Sequence, residues 1–442
     1  MLSLIEDEGW DNEITAASSK GYKALKSSLV DDGLVAYYKG NTFIYLASMN
    51  KWSVLISAEA QRQLCDATGG ENASVSYLAA SLPYIGYVEK HAIRTGAVPV
   101  SICIGTRRLG ISKDGDKIEL NECSNIASVK ETLDNRVSSF CAMPCSYNQI
   151  PQSWSPGGAE KVLRFIRVLF NDQIELKTVQ WVLGLVIVDP SSISKFLLLY
   201  GPGGTGKSTL IGLIEDIFNG CCGTISSGVL TSRNSNVTAD TARTIASNRI
   251  VTAGDINLES SQLNLHTIKE ITGHDSVSIP PVKVRTRCSL VAASNDLPHP
   301  RKQKTWCSEA ISRRAIVAPM NVKTSLIPNV ERPDSTEDNI DFLLSCVSLY
   351  LDHLGSPPIS MRSLMYSILG SGYDEIKDKI AFEDESSMQD VFDANTSIDI
   401  YFGLELHTIG ELAFLVCPNR VIETGSVYFI KNIRLLEPLA DD

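Results

Sequence analysis

The feature that most constrains the fold is a glycine-rich loop between an apolar run and an amphipathic segment. The apolar run is Lys195-Phe-Leu-Leu-Leu-Tyr200, which is typical of a buried parallel strand. The loop follows at once and reads Gly201-Pro-Gly-Gly-Thr-Gly206-Lys207-Ser208. Apolar residues then recur at helical spacing through Phe218, which predicts a helix that begins where the loop ends. A strand, loop and helix in this order predict an α/β core with a parallel sheet.

The loop has the composition of a phosphate-binding P-loop. Its glycines allow backbone N–H groups to turn inward around phosphates, and the helix N-terminus adds partial positive charge. We expect Lys207 to bind the β- and γ-phosphates and the Ser208 hydroxyl to bind Mg²⁺. The predicted cofactors are therefore ATP and Mg²⁺. The predicted ATP-binding residues are Gly201, Pro202, Gly203, Gly204, Thr205, Gly206, Lys207, Ser208 and Thr209.

Two further apolar runs end in polar residues that would complete such a site. Asp255 ends the run that begins at Arg249, and it is the predicted second magnesium ligand. Asn295 ends the run that begins at Cys288, and it is a candidate for orienting the attacking water and contacting the γ-phosphate. An aspartate after an apolar run is also a common helix cap or turn residue. Asn295 equally suits a turn before Pro298, so the sequence leaves these alternatives open.

The order of these motifs resembles the superfamily 3 helicases, and within them the poxvirus primase-helicase and phage or plasmid type. The resemblance covers Leu197–Pro319. A family motif, Lys-x-x-x-Gly-Gly-Asp, corresponds to the segment from Lys269 to Asp275, with His274 in place of the second glycine. The family's basic β-hairpin corresponds to residues 277–287. Its Ala-x-x-Arg-Arg segment corresponds to residues 310–314.

The resemblance implies an AAA+ type three-layer core that hydrolyses ATP and unwinds nucleic acid, with DNA favoured as the substrate, in the replication of a virus, phage or plasmid-like element. It implies a homo-oligomer, a hexameric ring around a single strand, with other replication proteins as further candidate partners. Arg313 or Arg314 would act as an arginine finger in the neighbouring subunit, and a helix cap or surface salt bridge is the alternative for both. The implied nucleic-acid contacts are Lys269, Lys283, Arg285 and Arg287.

One departure from the family leaves the general base open. The family usually has a glutamate where Asp255 stands and often a second acid where this chain has Gly254. Glu259 is a reserve candidate for that role.

The chain of 442 residues is longer than one ordinary core, so several domains are expected. Residues 1–145 mix short apolar runs with turn signals and predict an α+β region without an assigned role. Residues 146–190 predict a helical domain, and residues 191–325 the ATPase domain. Residues 326–442 predict a small C-terminal domain, for which a winged-helix-like module is one candidate fold.

Charge and hydropathy narrow the function classes. A net charge of −11 argues against general coating of nucleic acid, so any contact is expected to be local. No apolar stretch reaches ~20 residues, which predicts an intracellular protein without a membrane partner. Eleven scattered cysteines predict free thiols and no metal other than magnesium. Two other functions stay open, an ATPase that packages or remodels without unwinding and an ATP-binding replication scaffold.

Overall fold

The computed structural model describes residues 159–439 with short gaps, and before residue 159 it describes β-strands alone. Side chains are described only after residue 158. The gaps lie at 171, 189–193, 219–221, 232–237, 259–262, 274–275, 280–281, 286–287, 304–305, 324–335 and 384–385.

The strands before residue 159 pair into two sheets. The first is antiparallel and contains β1 (Val35–Tyr38), β2 (Asn41–Leu46) and β3 (Lys51–Val54). The second contains β4 (Val100–Ile104), β5 (Arg107–Asp114), β6 (Lys117–Ser124), β7 (Val137–Met143) and β8 (Ser153–Trp154). Its order is β7-β4-β5-β6-β8. The pairing of β8 with β6 carries this sheet past residue 145. The domain boundaries set from the sequence stay predictions.

A parallel sheet forms the centre of the molecule, as the sequence predicts. Its strands are β9 (Phe196–Tyr200), β10 (Cys222–Thr224), β11 (Ile250–Ile256), β14 (Ser289–Ser294) and β15 (Ala315–Pro319). Between β11 and β14, the strands β12 (Ser276–Ile279) and β13 (Val282–Arg285) form an antiparallel hairpin. Within the described ranges the sheet has five strands, in the order β10-β11-β14-β9-β15. Every side chain of β14 and β15 is buried, which explains their near-continuous apolar sequences.

Helices cover the sheet. Others precede and follow it in the sequence and extend the core. The helices are α1 (Glu160–Arg167), α2 (Gln173–Val188), α3 (Lys207–Ile217), α4 (Ser227–Thr231), α5 (Ala239–Ser247), α6 (Leu265–Thr272), α7 (Glu309–Ser312), α8 (Thr336–Asp352), α9 (Met361–Leu369), α10 (Tyr373–Ile376), α11 (Met388–Tyr401) and α12 (Thr408–Val416). Several begin at a side-chain cap. Asn264 caps α6, Ser360 caps α9, and Ser387 forms a capping box with Asp390 at α11. No helix in the described ranges has both the length and the apolarity needed to span a bilayer.

Helix α2, which precedes the parallel sheet in the sequence, packs closely against α8, which follows it. A Cβ atom at Gly184 would lie 2.2 Å from the Cys346 carbonyl oxygen, so the two backbones approach as closely as a glycine permits. The indole N–H of Trp181 donates to the His353 carbonyl at 2.9 Å. The segments before and after the parallel sheet therefore share one core.

Residues 361–439 form what we call the C-terminal unit. It contains α9 to α12 and the strands β16 (Ile380–Phe382), β17 (Val421–Thr424), β18 (Val427–Ile430) and β19 (Ile433–Leu435). β16 pairs with β19, and β17 with β18, both antiparallel. Buried Asp399 accepts from the backbone N–H groups of His407 at 2.7 Å and Ile409 at 2.9 Å, and burial raises its pKa to about 6. This carboxylate thereby holds the start of α12 against α11.

A buried lysine joins the C-terminal unit to the sheet. Lys195 directly precedes β9, and its Nζ donates to the carbonyl oxygens of Leu415 at 2.9 Å and Ser312 at 3.4 Å. Leu415 lies in the last turn of α12 and Ser312 ends α7, so both carbonyls carry the partial negative charge of a helix C-terminus. Burial nevertheless lowers the pKa of Lys195 from 10.5 to about 7.

This contact predicts a pH-dependent stability. Between pH 7 and 10.5 the unfolded chain binds a proton that folded Lys195 releases, so the free energy of unfolding rises with pH. We expect the wild type to gain stability relative to Lys195→Met between pH 7 and about 8.5, above which unfolded cysteines also titrate. Urea unfolding of both proteins at several pH values measures this. A stability difference that is constant or falls with rising pH would contradict it.

Candidate functional site

The glycine-rich loop begins at the end of β9, where neighbouring atoms leave little space. The Gly201 N–H donates to the Ser294 carbonyl at 3.2 Å, and the Met320 N–H donates to the Tyr200 carbonyl at 2.6 Å. These bonds tie the loop to the ends of β14 and β15. A Cβ at Gly201 would lie 1.9 Å from the Met320 carbonyl oxygen, so only glycine fits here.

The rest of the loop opens toward space and leads into α3. Gly204 and Gly206 have φ values of 78° and 86°, in the left-handed region that favours glycine. No described atom lies within 4 Å of a Cβ placed at Gly203 or Gly204. Gly206 is the N-cap of α3 and has no side chain, and the first helical bond runs from Leu210 N–H to the Gly206 carbonyl. Within the described part of the chain no side chain caps α3, so the N–H groups of its first turn suit an anion such as a phosphate.

Three predicted site residues form one continuous set of hydrogen bonds. Lys207 Nζ donates to the Gly201 carbonyl at 2.5 Å, the Pro202 carbonyl at 2.9 Å and Asn295 Oδ1 at 2.8 Å. Asn295 Nδ2 in turn donates to Asp255 Oδ1 at 2.9 Å. The structure therefore brings together the lysine, the amide and the carboxylate that the sequence placed 40 or more residues apart.

A bulge in β11 exposes Asp255 at the edge of the sheet. Ala253 pairs with Ala292 and Ile256 pairs with Ser294, so two residues of β11 face a single residue of β14. Gly254 and Asp255 occupy the bulge, and both are exposed while the rest of the strand is buried. A bulge re-aims a side chain that the regular alternation of a strand would bury. This is how a strand inside a covered sheet presents a carboxylate.

Lys207 at this edge is a buried ammonium without a direct ion pair among the described residues. Burial lowers the pKa of Lys207, and the carboxylates of Asp255 and Asp296 oppose that shift. The ammonium contacts neutral carbonyls and an amide, and within the described residues it forms no direct ion pair. A phosphate oxygen in contact with the ammonium would supply that direct ion pair and recover part of the desolvation cost.

The other predicted loop residues have different environments. Ser208 and Thr209 are exposed on the first turn of α3, where a metal ion or phosphate can reach them. Thr205 is buried, and its hydroxyl donates to the Pro202 carbonyl at 3.0 Å, which closes the loop from within. Their assignment as ligand-binding residues stays a prediction.

Sequence reasoning missed one carboxylate behind the loop. Glu215 on α3 accepts from the hydroxyls of Thr252 at 2.6 Å and Thr224 at 3.1 Å. It therefore holds α3, the helix after the glycine-rich loop, against β10 and against β11, which carries Asp255. The signal in the sequence was a glutamate that follows the apolar segment 210–214 of the helix, together with a threonine within an apolar strand.

The two candidate finger arginines lie at the opposite edge of the sheet from the loop. The Arg314 carbonyl accepts from the Phe196 N–H at 2.7 Å, at the start of β9, whereas Gly201 follows its end. The Arg314 guanidinium donates to Thr272 Oγ1 at 3.0 Å and to the Ala310 carbonyl at 2.9 Å. Arg313 is exposed and pairs with Glu309. The contacts of Arg314 are those of a helix cap, and those of Arg313 are those of a surface ion pair.

The predicted nucleic-acid residues are only partly described. Lys269 is exposed on α6. Lys283 and Arg285 lie on β13, opposite Ser278 and Ser276 of β12. The remaining nucleic-acid candidate, Arg287, lies outside the described residues. The same is true of the motif residues His274 and Asp275 and of the reserve base Glu259. The structure thus provides the predicted hairpin as a backbone feature, and its role stays a prediction.

Comparison with known proteins adds a family match over the same region. A family of unknown function (DUF5906) matches residues 199–314. No curated protein matches the chain.

The solved structures similar to this chain share little sequence with it. A structure of the NrS-1 C-terminal region (305–718) is 16% identical, with a TM-score of 0.30, and covers 55% of each chain. This chain therefore spans about half the length of that relative. A second NrS-1 C-terminal structure is 16% identical over 86% of this chain and 78% of that chain, with a TM-score of 0.36. A full-length MCM homolog from Methanopyrus kandleri is 11% identical over 62% and 57%, with a TM-score of 0.31. TM-scores this low do not establish a shared fold.

The loop geometry predicts that two neighbouring glycines tolerate alanine differently. Gly201→Ala forces a Cβ against the Met320 carbonyl, and we expect it to lower the free energy of unfolding by roughly 1–3 kcal/mol. Gly203→Ala places its Cβ in open space and is the matched control, with a stability close to wild type. Urea unfolding of the three proteins measures the difference. Equal stability of the two variants would show that the loop leaves β9 differently.

Proposed function

We propose that this chain is an ATP-dependent nucleic-acid helicase or translocase of superfamily 3, built on an AAA+ type core. One observation carries the proposal: Lys207, Asn295 and Asp255 are linked by hydrogen bonds beneath an open glycine loop and an uncapped helix N-terminus. If these three side chains only stabilised the fold, the open glycine loop next to them would have no purpose. The same arrangement suits a triphosphate and its metal ion.

In this proposal each residue has a separate task at the phosphates. The loop N–H groups and Lys207 bind the β- and γ-phosphates, and Lys207 exchanges its loop carbonyls for phosphate oxygens. Ser208 and Asp255 hold Mg²⁺, which when bound neutralises charge that develops on the phosphates. Asn295 orients the attacking water, because its amide already lies between the lysine and the carboxylate. Gly254 supplies no second acid, so Asp255 and Glu259 are the candidates for the general base.

The proposed assembly is a ring in which ATP lies between subunits. The arginines lie at the amino edge of the sheet and the P-loop at the carboxyl edge, so an arginine finger would act on the neighbouring subunit's site. Arg313 suits this role better than Arg314. Its partner Glu309 is exposed, and an exposed ion pair contributes about 0–1 kcal/mol, so it can be exchanged for phosphate. Arg314 is held within its own subunit.

Single-stranded nucleic acid is the proposed substrate, with DNA favoured. The contacts would come from Lys269 and from the hairpin residues Lys283, Arg285 and Arg287. In a chain with a net charge of −11, such a local basic segment is what phosphate binding requires. The C-terminal unit, with two helices before a β-hairpin, supports the proposal of a winged-helix-like module.

Two substitutions test the nucleotide site. Lys207→Ala should reduce ATP turnover by about 10² or more, because it removes the ammonium group that binds the negatively charged β- and γ-phosphates. Asp255→Asn should retain ATP binding and slow hydrolysis, because it weakens the magnesium site. Turnover and binding of a fluorescent ATP analogue are measured with Asp240→Asn, an exposed aspartate on α5, as the control. Normal turnover in Lys207→Ala would refute the proposed site.

The hairpin distinguishes a helicase from an ATPase that does not unwind. Replacing Lys283, Arg285 and Arg287 by glutamine should weaken single-strand binding and reduce its salt slope by roughly one unit per lost phosphate contact. Basal ATP turnover should survive, because the P-loop lies elsewhere on the core. The control replaces exposed Lys161, Lys177 and Lys323, so that the same charge is lost at other surfaces. An unchanged salt slope in the hairpin variant, or an equal change in the control, would contradict the proposal that these residues line a channel for the single strand.

Light scattering belongs in the same experiment because a channel requires a ring. A strict monomer with and without ATP would favour the scaffold function. Strand displacement that is absent while ATP turnover is normal would favour remodelling or packaging.

A further inference from the structure

A short segment follows Asn295 and packs against the C-terminal unit. We call residues 296–303 the connector. At its start, Ser294 Oγ lies 2.6 Å from the carbonyl oxygens of both Ile256 and Asp296. At its end, Gln303 Nε2 donates to the Leu258 carbonyl at 3.0 Å. The connector is thus fastened at both ends to the chain just beyond Asp255, and Asn295 lies at its first junction.

The middle of the connector packs into a glycine-rich turn of the C-terminal unit. The Ser371 N–H donates to the Pro298 carbonyl at 3.1 Å. A Cβ at Gly370, which has a φ of 55°, would lie 2.1 Å from the same carbonyl oxygen. A Cβ at Gly372 would lie 2.8 Å from the Pro300 ring. Both glycines are therefore required for the close approach, and the connector has little freedom to shift on this surface.

Arg301 makes the most specific of these contacts. Its NH2 donates to the Tyr401 carbonyl at 2.8 Å, and its guanidinium carbon lies 4.5 Å from the Tyr401 ring centroid. A guanidinium can donate in its plane and stack on an aromatic face, which a lysine does less well. The contact joins the connector to the end of α11.

A second set of bonds surrounds this contact. The Arg301 N–H donates to His299 Nδ1 at 3.2 Å, so Nε2 of that histidine carries the proton toward Glu375 Oε1 at 2.8 Å. The Tyr401 hydroxyl donates to the other oxygen of Glu375 at 3.2 Å. Connector, α10 and α11 therefore share one network, and Arg301 contributes both its backbone and its side chain to it.

We propose that Arg301 is a positioning residue for Asn295, and that through the connector it makes ATP turnover depend on the docked C-terminal unit. This inference rests on the proposed function. Asn295 has to hold its place between Lys207 and Asp255, and it is anchored on one side by β14 and on the other by the connector. A misplacement of about 1 Å at such a group costs on the order of 10²-fold in rate.

The neighbouring lysine offers a matched control for charge. Lys302 is exposed like Arg301, and the described part of the chain shows no hydrogen bond or ion pair of its side chain. Arg301→Ala and Lys302→Ala each remove one positive charge from adjacent positions. If Arg301 acted only as a surface charge, the two variants would behave alike.

The test uses the full-length chain and combines an activity-independent measurement with kinetics. Hydrogen exchange of the connector amides is recorded without nucleotide, and kcat and KM for ATP are measured in parallel. In Arg301→Ala we expect faster exchange in residues 296–303, a fall in kcat of about tenfold or more, and little change in KM. Lys302→Ala should match the wild type in all three. Should Arg301→Ala fail to fold, Arg301→Lys is measured in its place, with a smaller change of the same sign.

A double variant tests whether Arg301 acts through Asn295. If it does, Arg301→Ala combined with Asn295→Ala should be no slower than Asn295→Ala alone, because the group being positioned is already gone. Multiplicative losses in the double variant, or unchanged connector exchange in Arg301→Ala, would overturn the inference while leaving the proposed function standing. A wild type without ATP turnover, or with turnover insensitive to Lys207→Ala, would instead overturn the proposed function.

Discussion

The parallel pairing of β9 between β14 and β15 is the constraint on which the rest of the structure depends. Parallel strands end at a common edge, so the loop after β9, Asn295 after β14 and Asp255 in β11 meet although they are distant in sequence. The buried apolar side chains of these strands stabilise the edge from below, at ~25 cal/mol per Å² of buried apolar surface. Rigidity of this kind lets three polar side chains hold distances of 2.8 to 2.9 Å.

The C-terminal unit contacts both edges of the same sheet. At the amino edge, Lys195 donates to the ends of α7 and α12. At the carboxyl edge, the connector rests on the turn at Gly370 and on Tyr401. These contacts hold the unit at both ends of the strand layer. The C-terminal unit therefore contacts the sheet close to the proposed nucleotide site, and in the proposed ring these contacts would be a route from ATP to the rest of each subunit.

Several of the buried charged groups that the structure describes lie where elements join. Buried Glu175 on α2 lies 3.7 Å from Arg362 on α9, and burial raises its pKa to about 7. Lys195 and Lys207 also have lowered pKa values because they are buried. The two lysines contact neutral carbonyl oxygens, and among the described residues neither forms a direct ion pair. For Lys207 a phosphate would supply that pair, whereas for Lys195 the lowered pKa makes a junction sensitive to pH.

The sequence by itself determined the strand, loop and helix at Gly201–Ser208, because glycine placement and apolar periodicity are local properties of the chain. It also singled out Asp255 and Asn295 as candidates, since polar residues that end apolar runs are visible without a fold, but it left a turn or cap role open for both. Only the tertiary structure decided that Gly254 and Asp255 form a bulge, that α2 packs on α8, and that Arg314 is held in its own subunit while Arg313 is exposed. It alone showed the contact of Arg301 with Tyr401, 100 residues away. Strand register and long-range packing depend on which surfaces meet, and no local pattern of residues encodes that choice.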